Sequence, residues 1–393
     1  MDRTGLFDAI RSGDRVLLTA GSRGIDCMPG VLAGLVKAVR DCGGSPFIYP
    51  GMGSHGGGTA AGQVAVLSHL GITEETAGAP VYDGWEVVPI GATDIGAPVY
   101  ADRAAVEADH IILVNRVKEH TDFIGFTESG LIKIAVIGLG RQPGAASMHR
   151  MALDIGMQRS LHSAARVILE KLNVLGGVAI LEDHCNNLRR LEMVPANRLF
   201  ERESELLTES RSFKPRLPWD RIDVLIVDEI GKEISGTGAD SKVIGRIMNR
   251  FEDECTSPSI KRVLFLDLSE DTCGNAIGIG MADYTTRLAA GKVNHETTWL
   301  NCLTSSRPEL AKIPMALESD REAVETGFQT AGAWLPETVR AVWISDTKHL
   351  SRLAASEALL AEAAGRTDLE VFGDAFELPF GDDGSLKRLK DLF

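Results

Sequence analysis

The sequence predicts an α/β protein of two α/β domains, and three observations carry that expectation. Short apolar runs alternate with stretches whose apolar residues recur at helical spacing, over residues 14–71 and again from Trp219 onward. A chain of 393 residues exceeds what one hydrophobic core usually serves. Between the two alternating regions, KPRLPW (214–219) sets two prolines among basic residues, the composition of a domain connection. The expected division is an N-terminal domain over 1–205, a linker over 206–218 and a C-terminal domain over 219–380. An amphipathic terminal helix, 381–393, is expected to pack back on the first domain.

The elements follow in order. DRVLLTA (14–20) reads as a strand broken by GSRG, and MPGVLAGLVKAVRDCGG (28–44) as a helix stopped by its double glycine. SPFIYPGMG (45–53) is a second strand, and GSHGGGTAAGQVAVLSHLGI (53–72) a glycine-rich loop opening a helix. Residues 81–100 suggest an antiparallel excursion, and DRAAVEADHIILVNRV (102–117) a short helix before a strongly apolar strand. LIKIAVIGLG (131–140) fits a buried strand, or a strand running into a helix start. Residues 151–173 read as one long amphipathic helix, 174–183 as a strand and 187–219 as charged and helical. The second domain opens with the strand WDRIDVLIVDEI (219–230) and the turn SGTGAD (235–240). RVLFLDLS (262–269) and AVWISD (341–346) supply further strands, and residues 351–364 a helix.

Composition narrows the function. Hydrophobic residues make up 44% and charged residues 24%, the profile of a globular protein. A net charge of −14 argues against nucleic acid or an anionic membrane as partner, while leaving room for a small anion held by a few cations. The six cysteines form no CxxC pair, and no apolar run reaches membrane-spanning length. The N-terminus lacks a signal pattern, so a cytoplasmic location is expected.

Candidate chemistry gathers in three loops that would leave the carboxyl ends of strands, where open α/β sheets hold ligands. They carry Arg23 in GSRG, His55 in GSHGGG and His120 in VKEHTDFIG. Arg23 suits a bidentate grip on a carboxylate, or a solvated turn. His55 sits among glycines before a helix start, a setting for an anion or for an incidental surface histidine. Lys133, inside an apolar run, must either snorkel or be held for a reason, because burying an ammonium costs several kcal/mol. His149 precedes a long helix and could equally be a core contact. His184 and Cys185 could begin a metal site, although an adjacent pair is more often structural, and no HExxH motif points to a zinc hydrolase. The SGTGADSK segment, with Asp240 and Lys242, is a turn with a possible ligand contact and not a Walker loop.

Arg23, His55, His120, Lys133 and His149, in this order and spacing, resemble the nickel-dependent lactate racemase family. The resemblance covers most of the chain and implies two α/β domains with a cofactor and substrate cleft between them. It further implies a nickel-pincer nucleotide, which needs cofactor-biosynthesis proteins as partners. Lys133 would be its covalent tether, His149 the nickel ligand, and Ser129, Gly130 and Asp240 further cofactor contacts. His55 and His120 would be the acid/base pair on opposite faces of the substrate, with Arg23 and Lys242 binding it. The implied reaction is racemisation or epimerisation of a 2-hydroxy acid by reversible hydride transfer. The alternatives are another hydride-transfer reaction with the same cofactor, or a non-catalytic cofactor-binding homologue.

The chain also departs from the family pattern. Its first loop is Ala20-Gly21-Ser22-Arg23, without the family's carboxylate, and no arginine follows His55. The tether segment reads Ser129-Gly130-Leu131-Ile132-Lys133, and Ile137-Gly138 stands where the family has Pro-Gly. These changes leave the tether, ligand and acid/base positions in place and point to a 2-hydroxy acid other than lactate.

Overall fold

Burial decides which apolar runs become strands. β1 (Arg15–Ala20) is buried from Val16 onward and pairs in parallel with β2 (Ser45–Pro50), Val16 opposite Pro46 through Ala20 opposite Pro50. β2 lies at the sheet edge, where prolines are tolerated. The helix Met28–Asp41 joins them, with Pro29 in its first turn and Met28, Leu32, Leu35, Val36 and Val39 on its buried stripe. An antiparallel pair follows, β3 (Val87–Ala92) with β4 (Pro98–Asp102), as the pattern of short strands and turns suggested. Next come β5 (His110–Arg116), β6 (Val174–Glu182) and β7 (Leu188–Pro195). The sheet order is β2-β1-β5-β6-β7, parallel except for β7.

The structure, a computed structural model, describes residues 5–22, 24–183 and 186–392, and the fold is α/β. It divides into two units. One takes the chain up to His120 and from Ile124 to Lys214, and the other takes Thr121–Phe123 and everything from Pro215.

The second unit has its own sheet. Its strands are β8 (Arg221–Ile230), β9 (Ser259–Leu268), β10 (Tyr284–Thr286), β11 (Met315–Leu317), β12 (Ala341–Ile344) and β13 (Ala354–Ala355). Their order is β11-β10-β9-β8-β12-β13, with only β13 antiparallel. One face of β8, β9 and β12 buries Val224, Ile226, Leu264, Leu266 and Trp343 against Ala323 and Val324 of the helix Asp320–Thr330.

Several expectations are corrected. The run 131–140 is helical: Leu131–Lys133 leads into a π-helical turn, Ile134–Gly138, and on into the helix Leu139–Ile155. Burial of nearly every residue there erases the periodicity that tells helix from strand. The single long helix over 151–173 is two, parted at Gly156, whose φ of 78° and ψ of 159° no helix accommodates. Residues 188–195, expected to be helical, form the edge strand β7, whose exposed Arg189 and Arg190 gave it a helix-like polarity. The linker expected over 206–218 falls partly within the helix Leu199–Ser212, and the units divide at Lys214. The C-terminal tail packs on the second unit, not the first. Leu386 and Leu389 are buried in its core, and the amide of Leu389 donates to Asp228 on β8. That segment ends in a single 3-10 turn, Leu389–Asp391, rather than the helix expected.

Candidate active site in the N-terminal unit

In the first sheet the chain steps from β1 to β2 on one side and then crosses to β5 on the other, so strand order reverses between β1 and β5. Loops at the carboxyl ends of strands flanking such a reversal are the usual ligand site of an open α/β sheet. The loop after β2 carries His55 and the loop after β5 carries His120. The loop after β1 carries Arg23, which lies outside the described residues, as do His184 and Cys185.

His55 is exposed at the end of a tightly specified loop. Gly56, Gly57 and Gly58 all have φ near +65°, at 64°, 67° and 64°, a left-handed run open to glycine at little cost. A methyl group on Gly62 would lie 1.9 Å from the carbonyl oxygen of Gly56, so the loop presses directly on the first turn of the helix Ala60–His69. The glycines here serve the contact of backbone with backbone. Gln63, fully buried on that helix, places its amide nitrogen 2.8 Å from the carbonyl oxygen of Met52, 2.9 Å from that of Gly53 and 3.4 Å from that of His55.

The same loop meets the segment of Lys133. A methyl on Gly51 would stand 3.1 Å from Ile134, and one on Gly53 would stand 2.9 Å from Ile137. Lys133 itself is half-buried in the first turn of its helix, between the buried Ile132 and Ile134. His149 is half-buried further along, on the helix Leu139–Ile155.

The loop of His120 is closed by a backbone pair, Lys118 and Ser129 each donating its amide to the other's carbonyl at 2.8 and 3.1 Å. Inside it, the buried carboxylate of Glu128 accepts from the amides of His120 at 2.5 Å and Gly125 at 3.2 Å, and pairs with Arg211 at 2.8 Å. Arg211 also bonds Glu119 at 3.2 Å. His120 thus sits on a loop organised around an internal charge pair.

Glu203 fixes the base of the Lys133 helix. Its carboxylate accepts the amides of Ile132, at 2.9 Å, and Leu131, and its Oε1 has no hydrogen-bond partner. A side chain on Gly130 would strike that carboxylate at 2.6 Å, so Gly130 makes room for Glu203. Burial pushes the Glu203 carboxyl from 4.5 up to about 7 against the opposing pull of those two amides. The unfolded chain therefore releases this proton first as pH rises, and the folded state loses about 3 kcal/mol between pH 4.5 and 7. Urea unfolding at pH 5 and pH 8 checks this. Wild type should lose that increment and Glu203→Gln should not, whereas equal slopes would place the proton elsewhere.

In the second unit, Asp240 and Lys242 follow β8, beside the strand reversal between β8 and β12. Asp240 caps the short helix Ser241–Ile244 by accepting the amide of Lys242 at 2.9 Å. The Lys242 ammonium donates to the carbonyl of Phe123 at 2.8 Å, and Ser241 to that of Thr121 at 2.6 Å. Together with Arg307, which pairs with Asp122 at 3.1 Å, they hold the three residues that follow His120. Asp240 and Lys242, expected to contact cofactor and substrate, thus also anchor the chain around them.

Sequence reasoning missed Gln63, Asp102, Glu128, Arg141, Glu203 and Arg211. Arg141 was within reach of the argument applied to Lys133, since it lies in the same apolar stretch and is the more deeply buried of the two. Among the described residues, no group of three or more His, Cys, Asp or Glu side chains is gathered as a metal site, and no helix is long and apolar enough to cross a membrane.

Comparison with known proteins places this geometry in context. A family model described as a domain of unknown function (DUF362) matches residues 19–196. No curated protein matches the sequence. Among solved structures, the lactate racemase apoprotein from Thermoanaerobacterium thermosaccharolyticum superposes with a TM-score of 0.50 at 13% identity, over 82% of this chain and 80% of that one. The fold is similar to that of a lactate racemase. At that identity the likeness concerns architecture, and the chemistry must be argued from residues.

Proposed function

We propose that this protein inverts the hydroxyl-bearing carbon of a 2-hydroxy acid, with His55 and His120 as the acid/base pair and with Lys133 and His149 holding a nickel-pincer nucleotide. One observation carries the reading. The loops of His55 and His120 leave the two strands that flank β1, and the first of them packs against the helical turn that follows Lys133. The distant likeness to a lactate racemase supports it.

The residues present fit such a group at the tether and the ligand. Lys133 offers a primary amine on a half-buried side chain, and His149 an imidazole on the helical segment that continues from it. A cradle of backbone amides at Ser129 and Gly130 fits less well, because the amide of Ser129 is paired with Lys118 and those of Leu131 and Ile132 with Glu203.

A hydrogen on a carbon bearing a carboxylate and a hydroxyl is too weakly acidic for a histidine to remove it readily as a proton. When bound, the nucleotide supplies a hydride acceptor. The protein's own work is then to hold the acid and manage the hydroxyl proton. Arg23 engages the carboxylate with its planar fork. One histidine accepts the hydroxyl proton of one enantiomer at a ring nitrogen, and the other returns a proton to the oxygen of the opposite enantiomer.

The test uses single enantiomers of a panel of 2-hydroxy acids carrying deuterium on the hydroxyl-bearing carbon, in ordinary water. The inverted product should keep its deuterium. Loss of the label to solvent would point to proton abstraction, and build-up of a 2-keto acid without inversion would point to net oxidation at the same site.

A further inference from the structure

We infer that Gln63 and Arg141 are positioning residues for His55, with Arg141 locking the orientation in which the Gln63 amide grips the His55 loop. The inference rests on the acid/base role proposed for His55. Its observations are independent of that role.

The Gln63 amide bonds the carbonyls of Met52, Gly53 and His55 together, and a glutamine can do this only with its nitrogen turned toward them. The same side chain flipped would set oxygen against oxygen. Arg141 settles the choice. Its guanidinium has donors and no acceptor, and its Nη1 lies 2.6 Å from Gln63 Oε1, so the oxygen faces Arg141 and the nitrogen faces the loop.

Arg141 is itself held at Nε and Nη1, while its buried Nη2 has no hydrogen-bond partner. Its Nε donates to Tyr49 Oη at 2.8 Å and lies 2.7 Å from Asp102 Oδ2, and the guanidinium carbon stands 4.7 Å from the Tyr49 ring and 4.6 Å from the Trp85 ring. Asp102 is fixed in turn by the amide of Ala104 and the hydroxyl of Tyr82, at 3.0 and 3.1 Å. The backbone of Arg141 has φ 49° and ψ −151°, a conformation that a non-glycine residue adopts only where its surroundings impose it. A strained backbone, a buried charge pair and an aromatic enclosure therefore converge on one hydrogen bond, and that bond orients the amide behind His55.

The test compares Gln63→Glu and Gln63→Met with wild type by amide hydrogen exchange. Gln63→Glu keeps an acceptor for Arg141 but turns a carboxylate oxygen toward the loop carbonyls. Gln63→Met keeps the bulk and removes both interactions. Exchange over residues 51–58 should rise by about tenfold or more while β1 and β5 exchange as before. On the proposed reaction, kcat should fall by a similar factor with KM within about twofold. Unchanged exchange in the loop of either folded variant would overturn the inference, as would a uniform rise across the whole unit, which marks a merely structural role. If wild type inverts no 2-hydroxy acid, the proposed function fails, and the loop exchange still decides whether Gln63 and Arg141 fix the loop.

Discussion

Arg141→Met lowers the stability of the N-terminal unit by about 3–5 kcal/mol, the usual cost of removing one member of a buried ion pair. Asp102 is fully buried and is left with a carboxylate oxygen facing methionine, while Gln63 loses the donor that orients it. Methionine fills the volume, so the loss reports electrostatics and hydrogen bonding more than a cavity. Adding Asp102→Asn to Arg141→Met should recover part of the loss, because the stranded charge is then gone. Urea unfolding of the single and double variants checks both statements. A single-variant loss below about 1 kcal/mol would mean that the pair is not the internal anchor described here.

Lys133→Ala should abolish covalent loading of the proposed cofactor and, with it, the proposed inversion activity. No other lysine should take the adduct, the Lys242 ammonium being already engaged with the carbonyl of Phe123. His55→Ala and His120→Ala provide the contrast. Each should keep the covalent adduct while losing about 10²–10⁴ in kcat, the range of a lost general acid or base. Loading and turnover would thereby separate within the same segment of fold.

The α/β class was legible because β1, β5 and β8 are mostly buried, β9 is buried from Val263 onward, and all four carry short apolar runs. The positions of His55 and His120 were legible for the same reason, since loops that follow such strands lie at carboxyl ends. Residues 131–140 were misread because near-complete burial removes the contrast between faces on which periodicity depends. The polar groups that hold the loops were hidden for a different reason. Glu203 lies 71 residues beyond Ile132, and Asp102 and Arg141 meet across unrelated elements, so only the folded chain brings them together. Gly130, expected at a cofactor, also has a packing role that its motif did not reveal, making space for the Glu203 carboxylate.

The central claim is that Lys133 carries the chemistry of this fold, and intact-mass analysis with metal determination tests it most directly. Protein produced together with the cofactor-biosynthesis enzymes should gain one covalent adduct and bind nickel, the adduct should map to Lys133, and Lys133→Ala should gain neither. A wild-type protein with unmodified mass and no nickel under those conditions, or an adduct that persists in Lys133→Ala, would contradict the account.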